Sequence, residues 1–226
     1  MINIDLRLKT LANFVPAQSD CVADIGTDHA YLPIYLIQSG RTHYVFATDI
    51  KEGPLFNAKN DIAKFGLKKQ IETRLGPGLV PIVDESSIDT VIISGMGGKL
   101  IAQIMEDSSK MSNQITYIFE PNSSEPLLRR WLMANNFLIT NEKIIEVQDR
   151  IYEFIAANHQ SKTVSYSEED LLLGPILRKE KNAVFTKKWL KELNKRELVK
   201  ANRQKSNQLI SSKDLDQEIK IIKDNL

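Results

Sequence analysis

Apolar positions along the chain follow two different periods, and each period predicts one kind of element. Ile4, Leu8, Leu11 and Val15 recur at helical spacing, which predicts an amphipathic helix over residues 4–15 that ends before Pro16. Short runs rich in strand-forming residues come next, at residues 21–26, 44–50, 88–95 and 115–121, with a further short strand around 71–75. Helical stretches separate or follow them, at residues 30–38, 54–65, 98–106 and 125–135. Strands that alternate with helices predict βαβ units and a parallel sheet.

The pattern changes after residue 136. The runs FLITNEKIIEV (137–147) and RIYEFIAAN (150–158) are strands with only Gln148 and Asp149 between them, which predicts an antiparallel hairpin. By fold analogy, a parallel sheet closed by such a hairpin is typical of class I S-adenosylmethionine (SAM) methyltransferases and unusual for nucleotide-binding dehydrogenases. The predicted fold is therefore α/β, with a Rossmann-like sheet and an antiparallel C-terminal hairpin.

Beyond Tyr166 the sequence becomes helical and highly charged. Ser167 is expected to cap a helix, with Asp170 in the capping-box position. After Gly174 and Pro175, apolar residues from Ile176 to Leu198 predict one long helix, and residues 214–225 predict another, joined by residues 205–214. The narrow apolar stripe favours a small all-α, coiled-coil-like domain. We expect a methyltransferase-type domain over residues 1–160 and a helical basic domain over residues 161–226.

Composition fits one α/β domain with an appendage: the chain has 226 residues, of which 42% are hydrophobic and 26% charged. No apolar run approaches the roughly 20 residues of a membrane span, and the start of the sequence lacks a signal-peptide pattern. We therefore expect a cytoplasmic monomer without membrane association. The single cysteine, Cys21, and the scattered His29, His43 and His159 show no metal-ligand spacing, so no metal site is predicted.

Charge is unevenly distributed along the chain. The formal net charge is +1, yet residues 178–205 hold eleven lysines and arginines against three acids, a net +8, so the remainder carries −7. A basic appendage beside an acidic body is typical of a protein with a polyanionic partner, most commonly a nucleic acid. A solvated helix face remains the alternative.

The stretch ADIGTDHAYLP, residues 23–33, resembles a ligand loop with one glycine, Gly26. A dinucleotide loop needs several glycines so that backbone can approach a pyrophosphate, whereas SAM has no phosphate and needs one tight turn. Asp24 is then placed to position the amino-acid end of the cofactor, although an Asp before a turn is also an ordinary structural pattern. Asp49 ends the next strand, 23 residues after Gly26, where a carboxylate can accept hydrogen bonds from ribose hydroxyls of NAD or SAM alike.

Two more loops complete the predicted cofactor site. RLGPGL (74–79) is a glycine-rich turn that could bracket adenine with backbone amides, although Pro77 lacks a donor. IISGMGGKL (92–100) places glycines and Met96 at the methyl-transfer position, where backbone can approach a flat substrate; a plain strand-to-helix turn is the alternative. The predicted cofactor contacts are Asp24, Gly26, Thr27, Asp28, His29, Leu32, Asp49, Ile50, Gly76, Gly78, Leu79, Ser94, Gly95 and Met96.

Several motifs in this order resemble the bacterial TrmK family. They are ADIGTDHAYLPIYL, GMGGKLI, EPN (120–122), LRRWL (128–132) and RIYEFI (150–155), followed by LLLGPIL and a basic helical tail. The resemblance covers the chain from about Leu6 to the C-terminus. It departs from the family pattern at Pro77, where an acid or amide is common, and at Glu120, where Gln is common.

The resemblance implies a SAM-dependent methyltransferase that modifies N1 of the adenine at position 22 in the tRNA D-loop and releases S-adenosylhomocysteine. Adenine N1 has a free lone pair, so the enzyme must align it with the methyl group and tolerate a cationic product. The expected catalytic residues are Asp28, His29, Met96 and Asn122, with a structural role as the alternative for His29. Phosphate or base contacts are expected from Arg7, Tyr31, Lys187, Lys188, Lys191, Lys195 and Arg196.

Three alternatives remain open at this point. A small-molecule SAM methyltransferase would make the basic tail incidental, and only an RNA enzyme should lose substrate binding on deletion of residues 176–226. A catalytically silent RNA-binding protein could keep the core without SAM-dependent stabilisation. An NAD oxidoreductase is disfavoured by the single glycine and the hairpin.

Overall fold

The chain folds around one seven-stranded sheet in the computed structural model, which describes residues 1–112, 114–205 and 213–226. The strands are β1 (Cys21–Ile25), β2 (Tyr44–Asp49), β3 (Ile71–Leu75), β4 (Thr90–Gly97), β5 (Thr116–Ser123), β6 (Phe137–Val147) and β7 (Arg150–His159). Their order across the sheet is β3-β2-β1-β4-β5-β7-β6. Strands β1 to β5 are parallel, and β7 pairs antiparallel with both β5 and β6. The predicted Rossmann-like sheet with a closing hairpin is confirmed.

Helices cover both faces of the sheet. They are α1 (Leu6–Phe14), α2 (Tyr31–Gln38), α3 (Glu52–Lys64), α4 (Gly98–Met105), α5 (Glu125–Ala134), α6 (Glu168–Leu173), α7 (Leu177–Glu180), α8 (Ala183–Lys205) and α9 (Lys213–Asn225). Short 3₁₀ turns occupy Val80–Ile82 and Glu106–Lys110. Alternate residues of β1 enter opposite cores: Ala23 packs with α4 and α5, and Val22 packs with α1, α2 and α3. All five residues of β1 are buried for this reason.

The C-terminal helices dock on the hairpin through a third core. Ile144 of β6 joins Leu173, Phe185, Trp189 and Ile222 in this cluster. Ser167 and Asp170 form the predicted capping box at the start of α6. The coiled-coil character of the α8–α9 pair stays a prediction, and the predicted linker at residues 205–214 lies largely outside the described residues.

The prediction of a single long helix from Ile176 to Leu198 is wrong, because the helix is interrupted between α7 and α8. Lys181 adopts a left-handed conformation with φ of 45°. The side chain of Asn182 then accepts a hydrogen bond from the Phe185 backbone N–H at 2.9 Å. Asn182 therefore caps α8, which begins as a separate helix. Asn is a common helix cap, so this signal was present in the sequence.

Candidate active site

A cleft of about 330 Å³ opens at the carboxyl ends of β1, β2 and β4. Parallel strands bring their carboxyl ends to the same edge, which is where open α/β sheets bind ligands. The residues that line it are Arg7, Leu8, Asp24, Gly26, Asp28, Tyr31, Leu32, Asp49, Ser94, Gly95 and Met96. Ten of these eleven are among the residues that the sequence pointed to, the exception being Leu8. The volume of the cleft lies at the lower end of the range typical of ligand pockets, about 300–1,000 Å³.

Six of the predicted cofactor contacts do not line the cleft. They are Thr27, His29, Ile50, Gly76, Gly78 and Leu79. Leu79 is fully buried in the core on the α4 face, whereas Ile50 is 65% exposed beside Asp49. The backbone N–H of Gly76 donates to the Asp49 carbonyl at 3.0 Å, which brings the glycine-rich turn to the end of β2.

The turn after β1 depends on Gly26. The backbone N–H groups of Gly26 and Thr27 both donate to the carbonyl of Thr48, at 2.9 and 2.8 Å. Gly26 has φ of 81°, and a Cβ there would lie 2.3 Å from the Met96 methyl carbon. A side chain would strain the backbone and displace Met96, so this single glycine closes the cleft floor.

Asp24 is an acid with unusually low exposure. Only 5% of the residue is accessible to solvent, and burial raises the pKa of its carboxyl to about 6, against the opposing effect of the Arg7 charge. Desolvation disfavours the charged form of a carboxyl group. Few water molecules reach this carboxylate, so a cation beside Asp24 would face little competition from water for its oxygens.

Asp49 is anchored at one oxygen. Its Oδ1 accepts a hydrogen bond from the Lys51 backbone N–H at 2.8 Å, at the start of α3. Among the described residues, Oδ2 has no hydrogen-bond partner. One oxygen thus fixes the side chain, and the carboxylate keeps acceptor capacity for a ligand in the cleft.

His29 fastens the loop before α2 to α3. Its Nδ1 lies 2.9 Å from Oδ2 of Asp61, whose pKa is lowered by Lys64 and by His29. His29 has φ of 55°, and its ring stacks on Tyr31 at 5.1 Å between centroids. The carboxylate of Asp28 is 79% exposed and lies 3.7 Å from Nε2 of His29. His29 therefore holds the loop that presents Asp28 and Tyr31 to the cleft.

Glu120 is a buried acid that the sequence analysis singled out only as a departure from a family pattern. Its Oε2 accepts hydrogen bonds from Nη1 of Arg7 at 2.8 Å and from the Gly95 backbone N–H at 3.0 Å. The side chain is fully buried, and burial raises the pKa of Glu120 although Arg7 opposes the shift. Oε1 has no partner among the described residues. Glu120 thus connects α1 to the end of β4. The guanidinium of Arg7, which the sequence predicted to contact tRNA, is bound to Glu120 in this structure.

Asn122 lies in a second groove rather than in the cleft. This groove, which we call the α8 groove, has a volume of about 610 Å³ between the end of β5, the tip of the hairpin and α8. It is lined by Asn122, Glu125, Glu146, Asp149, Arg150, Ile151, Tyr152, Lys187, Lys188, Lys191, Glu192 and Lys195. Four of the five basic tail residues predicted to contact phosphates therefore line one groove, together with Asn122.

Most of those basic side chains are already paired with acids. Lys187 meets Glu146 at 2.5 Å, and Lys195 meets Glu192 at 2.7 Å. Arg196, which does not line the groove, pairs with Glu192 at 2.6 Å and Glu218 at 2.8 Å. Lys191 has no ion-pair partner within the described part of the chain. Local charge in the groove is therefore well below the +8 that residues 178–205 carry in the sequence.

Lys188 belongs to a buried charge network beneath the groove. Its ammonium lies 2.6 Å from Glu125 and 2.7 Å from Glu153, and only 17% of the side chain is exposed. Burial lowers the pKa of Lys188, but these two carboxylates outweigh it and raise the pKa overall. Lys188 thereby joins α8 to α5 and β7, and its ammonium is occupied by these two carboxylates.

Arg129 continues the same network into the protein interior. It is fully buried and donates to Glu142 at 2.8 Å and to Glu153 at 2.6 Å. Glu142 also accepts the Ile176 backbone N–H at 2.8 Å. A Cβ on Gly174, which has φ of 94°, would lie 2.8 Å from Glu142 and 2.9 Å from Arg129, so glycine is required there. The network fixes the C-terminal helices on the sheet.

Comparison with known proteins gives one consistent answer. The family model described as "TrmK: tRNA (adenine(22)-N(1))-methyltransferase" matches residues 22–224. A Bacillus subtilis tRNA (adenine(22)-N(1))-methyltransferase is 36% identical over 197 residues, which is 85% of this chain and 82% of that protein.

Solved structures agree with the sequence match. A Streptococcus pneumoniae protein in complex with S-adenosyl-L-methionine superposes with a TM-score of 0.88 at 36% identity, covering 99% of this chain and 100% of that one. The structure of M. capricolum TrmK in complex with S-adenosyl-homocysteine superposes with a TM-score of 0.82 at 31% identity, covering 98% of this chain and 96% of that one.

Proposed function

Because this chain belongs to the TrmK family, the tRNA (adenine(22)-N(1))-methyltransferases, we propose that its cleft holds S-adenosylmethionine and receives adenine 22 of tRNA. The protein is a SAM-dependent enzyme that methylates N1 of that adenine. The observation that supports this use of the cleft is the convergence of Asp24, Asp28, Asp49 and Met96 at one edge of the sheet. Membership of this family rules out the three alternatives: a silent RNA-binding protein, a small-molecule methyltransferase and an NAD oxidoreductase.

The cleft suits a cofactor that carries a cation and a ribose but no phosphate. The buried carboxylate of Asp24 suits the ammonium group of the cofactor, and the unpartnered oxygen of Asp49 suits the ribose hydroxyls. Gly26 supplies the one tight turn that is needed. We assign the adenine end to the neighbourhood of Ile50, Gly76, Gly78 and Leu79, next to Asp49. Thr27, Leu32, Ser94 and Gly95 are assigned to the walls around it.

We assign the reacting end of the cleft to Asp28, Tyr31 and Met96. S-adenosylmethionine supplies an electrophilic methyl group, and adenine N1 accepts it through its own lone pair. No base is required, so the protein has to orient the ring and stabilise positive charge as it develops. The exposed carboxylate of Asp28 suits the exocyclic amine and the cationic ring, while Tyr31 stacks on the base. His29 acts as a positioning residue through Asp61.

Asn122 connects the cleft to the tRNA path. It lies at the end of β5 and lines the α8 groove with Lys187, Lys191 and Lys195. We assign these three lysines and Arg196 to phosphate contacts, which give affinity without sequence information. Exposed ion pairs stabilise little, so phosphates can replace their carboxylate partners. Lys188 instead orients α8.

The division of labour follows the two parts of the chain. Residues 1–160 form the catalytic domain, and residues 161–226 form a helical domain that holds tRNA. None of the helices in the described part of the chain has the length and apolar character of a membrane span. We assign the protein to the cytoplasm and to a monomeric state. Light scattering on the purified protein tests the monomeric state.

Nucleoside mass spectrometry tests the proposed reaction. An unmodified tRNA transcript with adenine at position 22 is incubated with the protein and SAM, then digested. We expect 1-methyladenosine from this transcript and none from a matched transcript that carries guanine at position 22. Methylation of both transcripts, or of neither, would overturn the assignment.

A further inference from the structure

A second cavity lies at the end of the sheet opposite the catalytic cleft. Its volume is about 300 Å³, and we call it the aromatic cavity. Tyr117, near the start of β5, pairs in register with Val91 near the start of β4, whereas the cleft contains Met96 near the end of that strand. At about 3.3 Å per residue, the two sites are separated by about 16 Å along β4. Neither the proposed methyl transfer nor the proposed tRNA path uses this cavity.

Four aromatic rings line the aromatic cavity, and three of them surround the fourth, Phe137. The Phe137 ring centroid lies 5.5 Å from that of Tyr117, 5.7 Å from Trp131 and 5.4 Å from His159. Two of the three pairs are edge-on, with interplanar angles of 85° and 77°. Rings held at different angles present both faces and edges to the cavity, which favours a flat ligand with its own π-system.

Tyr117 brings an unsatisfied polar group into this cavity. The residue is 2% exposed, and its hydroxyl has no hydrogen-bond partner within the described ranges. Burial raises the pKa of Tyr117 to about 12, so the phenol stays neutral and can donate. The imidazole of His159 likewise has no hydrogen-bond partner among the described residues. The Tyr117 hydroxyl and the half-buried imidazole of His159 are therefore both free to bond to a polar ligand in the cavity.

Charge in the aromatic cavity selects against anions. Of the described residues that line it, Glu106 is the one carboxylic acid, and none is Lys or Arg. Oε1 of Glu106 accepts the Trp131 indole N–H at 2.7 Å, and Oε2 has no partner in the described part of the chain. Its free oxygen suits an N–H donor, whereas a phosphate would meet repulsion. Hydroxyls of Ser108, Ser109 and Ser112 add acceptors and donors at the rim.

We propose that the aromatic cavity binds an amine-bearing nucleobase as a base or nucleoside without a phosphate at the site. The ring stacks among Tyr117, Trp131 and Phe137, and its exocyclic amine donates to Glu106. The Tyr117 hydroxyl donates to a ring nitrogen. A free nucleoside and an extruded base of an RNA share this chemistry.

Calorimetric titration with adenosine tests the proposal. The wild-type protein is saturated with S-adenosylhomocysteine so that the cofactor site is filled. We expect one binding event, with adenosine bound more tightly than inosine, which lacks the exocyclic amine. Adenosine 5′-monophosphate is expected to bind more weakly than adenosine. The same event should persist in Asp28→Ala, because that variant alters only the reacting end of the cleft.

Conservative variants test whether adenosine binds in the aromatic cavity. Tyr117→Phe removes one hydroxyl and should weaken adenosine binding about three- to tenfold, the usual effect of one lost hydrogen bond. Tyr44→Phe is the matched control, since its hydroxyl donates to Glu72 on another part of the sheet. Glu106→Gln retains an acceptor for Trp131 and should abolish the preference for adenosine over inosine. Thermal unfolding of each variant checks that the fold is retained.

Two outcomes would overturn the proposal. One is the absence of adenosine binding up to millimolar concentrations in the saturated protein; the other is binding that Tyr117→Phe and Glu106→Gln leave unchanged. The same variants distinguish the sources of the base. If the ligand is a free nucleoside, the KM for tRNA stays unchanged in Tyr117→Phe; if it is a base of the tRNA, that KM rises. Methyl transfer can succeed or fail independently of these results.

Discussion

In the catalytic cleft, Asp28 and Asp49 have no lysine or arginine partner among the described residues, whereas along α8 four of the five predicted phosphate contacts already have carboxylate partners. Under the proposed function, the cationic cofactor and the cationic methylated base would supply the positive charge that faces these two carboxylates. The α8 groove is close to neutral, because its lining holds five basic and four acidic side chains. We propose that the carboxylates of the cleft are in place before the ligand binds, and that the exposed lysines Lys187 and Lys195, unlike the buried Lys188, exchange their carboxylate partners for phosphates.

Breaking the network beneath the groove should have the largest effect. Arg129→Met leaves the carboxylate of Glu142 buried without a compensating charge and leaves Glu153 with Lys188 as its one cation among the described residues, and breaking a buried pair in this way typically costs about 3–5 kcal/mol of the free energy of unfolding. Urea denaturation measures this loss. Arg130→Met is the matched control, since Arg130 pairs with Glu168 at an exposed site, where about 0–1 kcal/mol is expected. Equal losses in both variants would contradict a structural role for the buried network.

Removing the exposed carboxylate of the cleft should reduce chemistry rather than cofactor binding. Asp28→Ala is expected to lower the single-turnover rate of methyl transfer about 10²–10³-fold, comparable to the loss of one group that stabilises transition-state charge. Calorimetry should show nearly unchanged affinity for S-adenosylhomocysteine. A variant with normal turnover would remove Asp28 from the reaction, and one that cannot bind the cofactor would move Asp28 to the cofactor site.

Protonation of Asp24 should weaken cofactor binding. Its carboxyl has a pKa of about 6 in the folded protein, so the ionised form prevails above that pH and is lost as the pH falls through it. A positively charged ligand binds the ionised form, so SAM affinity should fall about tenfold between pH 7 and pH 5. Asp24→Asn should bind weakly and show a flat profile over this range. A steep profile that persists in Asp24→Asn would assign the titration to another group.

Single lysines of the groove should have the smallest effects. Lys191→Ala is expected to raise the KM for tRNA a few-fold and to reduce the slope of log affinity against log salt by about 0.7–0.9, since one phosphate contact is lost. SAM affinity should not change. Lys179→Ala, a basic residue of the same domain outside the groove, provides the control. A salt slope that Lys191→Ala leaves unchanged would place the tRNA backbone elsewhere.

Periodicity and turn chemistry were enough to predict most of the fold. Alternation of strands and helices predicted the parallel sheet, and the two-residue spacing of Gln148 and Asp149 predicted the hairpin, because both signals are local. The cleft residues followed from the same logic, since strand ends of a parallel sheet meet at one edge. The break at Lys181 and Asn182 was missed because apolar spacing continues across it, although the capping residue was visible.

Contacts between distant residues were decided only by the tertiary structure. The pairing of Arg7 with Glu120 joins residues 113 positions apart, and that of Lys188 with Glu125 joins residues 63 positions apart. A charge in a sequence carries no information about its partner, because the partner depends on which surfaces meet when helices dock. The sequence by itself determined the order of elements and the family. Packing alone decided which cations of the tail stay available to tRNA, because burial and pairing are properties of the folded surface.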